Sequence, residues 1–201
     1  MERKLVGVLF AIFGPIFWAV AAAATPAGTV IGVSGSCTDH GHVLSRGDAV
    51  QIGHTLDVPA DGNLTLQMAD GSVISVAPGS SVTVASYSIG GSVRDVRLSL
   101  MQGMLRARVT SVAGPSTFEV STAVGTASVS SNSADWFIKA KPDSAQVAVL
   151  AGTVDLTSTE TGQSVSIPAR WGTRLETGLD PVRPRVWAQG EFNAVIRLTG
   201  A

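Results

Sequence analysis

From Thr29 onward, apolar and polar residues alternate over stretches of five to eight residues, and Gly, Pro, Asn or Asp interrupts between stretches. Successive side chains of an extended chain point to opposite faces, so this pattern predicts half-buried strands. Leu64, Leu66 and Met68 share one face, with Thr65 and Gln67 on the other; Val96, Leu98 and Leu100 oppose Asp95, Arg97 and Ser99. The same division sets Leu105, Ala107 and Val109 against Arg106 and Arg108, Phe118 and Val120 against Glu119 and Ser121, and Trp136 and Ile138 against Asp135, Phe137 and Lys139. The composition agrees: 26 Val, 17 Thr, 22 Ser and 22 Gly make the chain rich in strand and turn formers. The expected fold is all-β, an antiparallel β roll or sandwich. Glycine-led strand starts recur at Gly28, Gly71, Gly103, Gly125 and Gly152 with irregular spacing, which leaves roll against solenoid-like stacking open.

One turn tests the antiparallel reading, because hairpin loop length fixes which residues face each other. A two-residue Asp70-Gly71 loop sets Gln67 opposite Ile74. A three-residue loop, Asp70 to Ser72, pairs Met68 with Ile74 and Leu66 with Val76, and is the preferred register because like faces like. Gly71 supplies the positive φ that such a loop needs.

The two ends have a different character. Met1–Lys4 carries two basic side chains, and an uncharged run from Leu5 to Ala24 ends in small residues with Ala22 and Ala24 placed for peptidase cleavage. Residues 1–24 are read as a helical secretory signal peptide, with a retained membrane anchor as the alternative. Lipidation at Cys37 is a weaker reading, since Ser34-Gly35-Ser36 lacks the apolar residue expected before it. Residues 25–178 form the expected β domain. Gly178 to Pro184 reads as a linker, and Trp187, Phe192, Val195 and Ile196 are spaced for one amphipathic helix, so 179–201 is assigned to linker and C-terminal helix. That helix is expected to cap an open end of the sheets.

The run Arg46-Gly47-Asp48-Ala49-Val50, followed by Leu64 to Val82 with its Asp70-Gly71-Ser72 and Pro78-Gly79-Ser80 turns, resembles the periplasmic FecR domain of iron-dicitrate-type signal regulators. Val96 to Leu105, Phe118-Glu119-Val120 and Val147 to Val154 continue the likeness in order, over roughly residues 44 to 176. The chain departs from the family at Asn132-Ser133, where Gly-Thr is usual before the aromatic strand, and at its ends. Transmembrane regulators of the family carry a cytoplasmic anti-sigma segment, whereas only Met1–Lys4 precede the apolar run, and little chain follows Glu176 to dock a transporter. The resemblance therefore implies a periplasmic domain working alone, binding a protein partner or envelope component in signalling or assembly. It speaks of architecture more than of a reactive site.

Candidate chemistry is sparse. A formal net charge of −1 gives no basis for nucleic-acid binding. Membrane association is expected only if residues 1–24 remain uncleaved. Cys37, His40, His42 and His54 gather every Cys and His of the chain. The Cys37/His40/His42 loop is the alternative reading, a small-ligand or metal-binding module, because Zn²⁺ favours thiolate and imidazole; the competing reading is a polar surface loop, and no metal, cofactor or catalytic residue is assigned. Cys37 is also a candidate for an interchain disulfide. No nucleophile elbow is present, so a non-enzyme is expected. Arg94, Arg97, Arg106 and Arg108 form the densest basic group. They would line one wet face if their strands pair, interrupted by Asp95.

Overall fold

The computed structural model of the chain describes residues 26–90, 93–129 and 133–199; the signal segment expected at residues 1–24 lies outside them. The alternating stretches become strands: β1 (Gly28–Ser34), β2 (Thr38–Asp39), β3 (His42–Val43), β4 (Ala49–Val50), β5 (Thr55–Val58), β6 (Asn63–Met68), β7 (Val73–Val76), β8 (Ser80–Gly90) and β9 (Val93–Val109). The second half continues with β10 (Ser116–Ser121), β11 (Gly125–Val129), β12 (Ala134–Lys141), β13 (Ser144–Ala151), β14 (Thr153–Ser158), β15 (Ser164–Pro168), β16 (Trp171–Glu176) and β17 (Arg185–Val186). One helix follows, α1 (Gln189–Leu198).

Two layers result. One runs β4-β1-β6-β7-β9-β12-β13-β16-β17, the other β3-β2-β5-β8-β9-β10-β11-β14-β15. Neighbours are antiparallel except β9 and β10, which run parallel. The 17-residue β9 belongs to both layers, its first half pairing β8 and β10 and its second half β7 and β12. A strand that switches layers needs a corner. Here Ser81 pairs Gln102 while Val82 pairs Leu100, so Met101 bulges out, and Gly103 follows at φ 95°. A side chain at Gly103 would overlap Ser80, whose Cα would stand 2.5 Å from the added carbon. The Ser80 hydroxyl instead accepts the Met104 N–H at 2.9 Å.

The faces read from the sequence meet in one core. Leu64, Leu66 and Met68 pack with Val96, Leu98, Leu100, Leu105, Ala107, Phe118, Trp136 and Ile138. Fully burying side chains of this size contributes about 1.5–3 kcal/mol each before entropy is counted. Phe137, of opposite parity to Trp136, is buried too, because α1 covers the outer face of β12 and β13: Phe137 and Ala148 meet Trp187 and Phe192. The helix thus lies against a sheet face rather than at the open end expected. Gly172 on β16 makes room for it, since a side chain there would overlap the Trp187 indole. The Ala188 N–H is held by the Glu191 carboxylate at 2.8 Å, one half of a capping box.

The hairpin register differs from expectation by two residues. Leu66 faces Ile74 and Leu64 faces Val76, so the loop is Ala69-Asp70-Gly71. Asp70 drives this: its Oδ1 accepts the Ser72 N–H at 3.0 Å and its Oδ2 the Ser72 hydroxyl at 2.7 Å, drawing Ser72 into the pairing end. A two-residue slip preserves side-chain parity, so the buried faces remain as read.

Candidate functional site

The Cys and His residues are divided by the fold. Cys37 is fully buried, with its thiol donating to the carbonyls of Ser34 at 3.3 Å and Asn63 at 3.6 Å. Burial pushes that thiol up from its ordinary pKa, against the thiolate that a metal or a nucleophilic reaction requires. Cys37 is therefore not accessible for an interchain disulfide, and among the described residues the expected Cys37/His40/His42 grouping is not brought together. His42 is exposed on β3.

A different trio comes together. Asp39 pairs with His42 across a two-residue loop, His40-Gly41, and both loop residues have positive φ, 47° and 82°. A two-residue hairpin turn of type I′ has positive φ at both central positions. The turn sets the His40 ring on that of His54, 4.5 Å between centroids and 28° from parallel. The pairing of β2 with β5 brings the turn before Thr55 alongside Asp39, and His54 Nδ1 lies 2.9 Å from Asp39 Oδ2. One donor atom each from Asp39, His40 and His54 fall within 4.8 Å of one another. Asp39 Oδ1 is buried and has no hydrogen-bond partner. Asp39 was not singled out in the sequence because nothing local marks it as facing inward beside His54.

The four arginines do not line one face. Arg94 shares the inward parity of Val96 and Leu98 and is buried, donating to Asp70 Oδ2 at 3.0 Å, the Ser116 hydroxyl at 2.9 Å and the Thr110 carbonyl at 2.6 Å. It lies over the Phe118 ring, 5.8 Å from the centroid. Nearby, the Asp70 N–H donates to the Tyr87 hydroxyl at 2.7 Å, and burial, with the Asp70 charge second, raises the phenol's pKa. Arg106 makes a two-pronged pair with Asp135 at 2.8 and 2.7 Å. Arg97 is exposed beside Asp95 and Glu119, and Arg108 is exposed.

Two further surface features stand out. On the outer face of β12, β13 and β16, Lys139, Gln146 and Arg174 form one cross-strand row, in adjoining concavities of about 260 and 250 Å³ with Lys141 and Arg183. On the other layer, β5 accompanies β8 only from Ser80 to Thr83, and Val84 still bonds the His54 carbonyl at 3.2 Å. Beyond that point, among the described residues, Ser86–Gly90 pairs with β9 alone. Ile89 and Val93 are exposed there. No described helix is long and apolar enough to cross a membrane.

A family model described as FecR protein matches residues 54–155. The matched stretch runs from β5 into the first half of β14 and includes the layer-switching β9. Two crystal structures of a protein described as "a putative anti-sigma factor" from Parabacteroides distasonis ATCC 8503 share the fold. The first has a TM-score of 0.57 at 15% identity, covering 71% of this chain and 64% of that one. The second has a TM-score of 0.57 at 14% identity, covering 71% and 63%. The match thus spans less than two-thirds of that protein's length. No curated protein matches the chain.

Proposed function

Because the chain belongs to the FecR protein family, we propose that it is a non-enzymatic periplasmic regulator that recognises a protein partner or envelope component in signalling or assembly. In this reading residues 1–24 export the chain, 25–178 form the recognition domain and 179–201 brace its outer face. The anti-sigma description of the structural neighbours points towards signalling between proteins.

The observation that carries the reading is the edge of β8 that no strand among the described residues pairs. Sheet edges are usually blunted, since their unpaired N–H and C=O groups invite another chain. The outermost strands here follow that rule: β3, β4 and β17 have two residues each, and β15 ends at Pro168. Ser86–Gly90 does not. It offers five consecutive residues and an exposed Ile89, the features an added strand uses for affinity and specificity.

Photo-crosslinking tests this in intact envelopes, with the reactive group at Ser88 and, as control, at exposed Glu160. A discrete adduct is expected from position 88 alone. With the captured partner purified, calorimetry compares wild type with Ser88→Pro and Ile89→Pro. Only one of two adjacent residues turns its N–H to the free side, so one variant should weaken binding by about tenfold, the order of one lost hydrogen bond with its strain. Equal labelling at both positions, or unchanged affinity in both variants, refutes the reading.

A further inference from the structure

The Asp39, His40 and His54 cluster is not needed for edge recognition, and its chemistry is distinct. A carboxylate has two oxygens to satisfy, and one imidazole N–H can satisfy only one of them. At Asp39 the second oxygen is buried without a donor, in a residue only 9% exposed. Buried polar atoms left unpaired are uncommon, and this one belongs to a carboxylate that already touches an imidazole. Beside it stand two imidazoles, and one ring nitrogen of each lies with a carboxylate oxygen inside a mutual separation of 4.8 Å.

We propose that Asp39, His40 and His54 bind one divalent transition-metal cation of the Zn²⁺ class. Two nitrogen donors and one carboxylate oxygen suit zinc and its neighbours rather than Mg²⁺ or Ca²⁺, which take all-oxygen shells. The Asp39–His54 separation comes within a few tenths of an ångström of that around a bound ion. Two donors about 2.0–2.1 Å from a tetrahedral Zn²⁺ stand roughly 3.3 Å apart, and Asp39 Oδ2 and His54 Nδ1 are 2.9 Å apart. The cation takes the place of the proton between them and balances the charge of a carboxylate whose other oxygen, Oδ1, has no donor. His40, exposed on its turn, closes the remaining distance by side-chain rotation. Three protein ligands leave a fourth position for water or for a donor from a partner. The site touches β8 through the His54 carbonyl, next to the edge that begins at Ser86.

Calorimetry on the tag-free, chelator-stripped full chain in mild detergent tests the proposal with ZnCl₂ as the probe. One Zn²⁺ per chain is expected. His54→Gln and His40→Asn should each weaken it by at least about tenfold, since even outer-shell changes cost 10–100-fold. Asn tolerates the positive φ at position 40, so that variant removes the imidazole while keeping the turn, and its thermal unfolding midpoint without metal should match wild type. Cys37→Ala and His42→Ala should bind Zn²⁺ as wild type does. The proposal is overturned by absence of binding, by undiminished binding in His40→Asn and His54→Gln, or by loss of binding in His42→Ala. Failure here leaves the Ser88 crosslinking result intact, so the two readings stand or fall separately.

Discussion

Two acid–base contacts of nearly equal length have opposite surroundings. Arg94 and Asp70 meet at 3.0 Å with side chains 1% and 2% exposed; His54 and Asp39 meet at 2.9 Å at 38% and 11%. Around Asp70, Ser72 and Arg94 donate to the carboxylate, and Arg94 goes on to bond Thr110 and Ser116. Around Asp39 one oxygen is unmet and the neighbouring imidazole is partly exposed. Distance alone does not separate structure from recognition. A closed network holds its chain segments in place, and an incomplete one is available to a ligand.

The contrast is broken most sharply at Arg94. Arg94→Met leaves the Asp70 charge buried without its cation, and urea unfolding should show a loss of about 3–5 kcal/mol. Adding Asp70→Asn should recover part of it; a double variant no more stable than Arg94→Met would mean that the charge is not the cause. Asp135→Ala strips Arg106 of a two-pronged but less enclosed pair. About 1.5–3 kcal/mol is expected, the range for hydrogen bonds to charged groups, read from the same transition. His54→Gln in metal-free protein should cost under about 1 kcal/mol, as rim pairs do, so a larger loss would make Asp39 and His54 a structural pair after all.

The smallest effect belongs to the exposed pair at the helix start. Hydrogen bonds from Arg185 and then from the Ala188 N–H hold the Glu191 carboxyl at about 2, below its ordinary 4.5. An acid depressed in the folded state stabilises above its unfolded pKa and loses that contribution on protonation. The hold on α1 should therefore be complete above about pH 4.5 and fade between 4.5 and 2, followed by Trp187 fluorescence. Glu191→Gln should flatten that part of the profile.

The inward faces were legible because period two is local: Leu64, Leu66, Met68, Val96, Leu98 and Leu100 are all in the core. The family was legible for the same reason, since its motif residues are turns and strand faces. Arg94 was not, because charge suggested a wet face while parity placed it inward, and its partner Asp70 comes from another hairpin. The metal candidate was misread in a related way. Cys37, His40 and His42 are neighbours in sequence, but the pairing of β2 with β5 selects His54 and Asp39 instead and turns Cys37 into the core. The loop register slipped because Asp70's side-chain bonds moved Ser72 from the turn into the ladder.

The corner strand also bears on which length changes the chain can accept. A single residue inserted between Val96 and Leu98 would reverse the facing of every position on one side of it. It would pull Gly103 away from Ser80 or the Arg94 guanidinium away from Thr110. Both layers would be damaged by one event, because each takes its central strand from the same 17 residues. Insertions and deletions in natural variants of this chain should therefore gather in connections such as 159–163 and leave 93–109 constant in length.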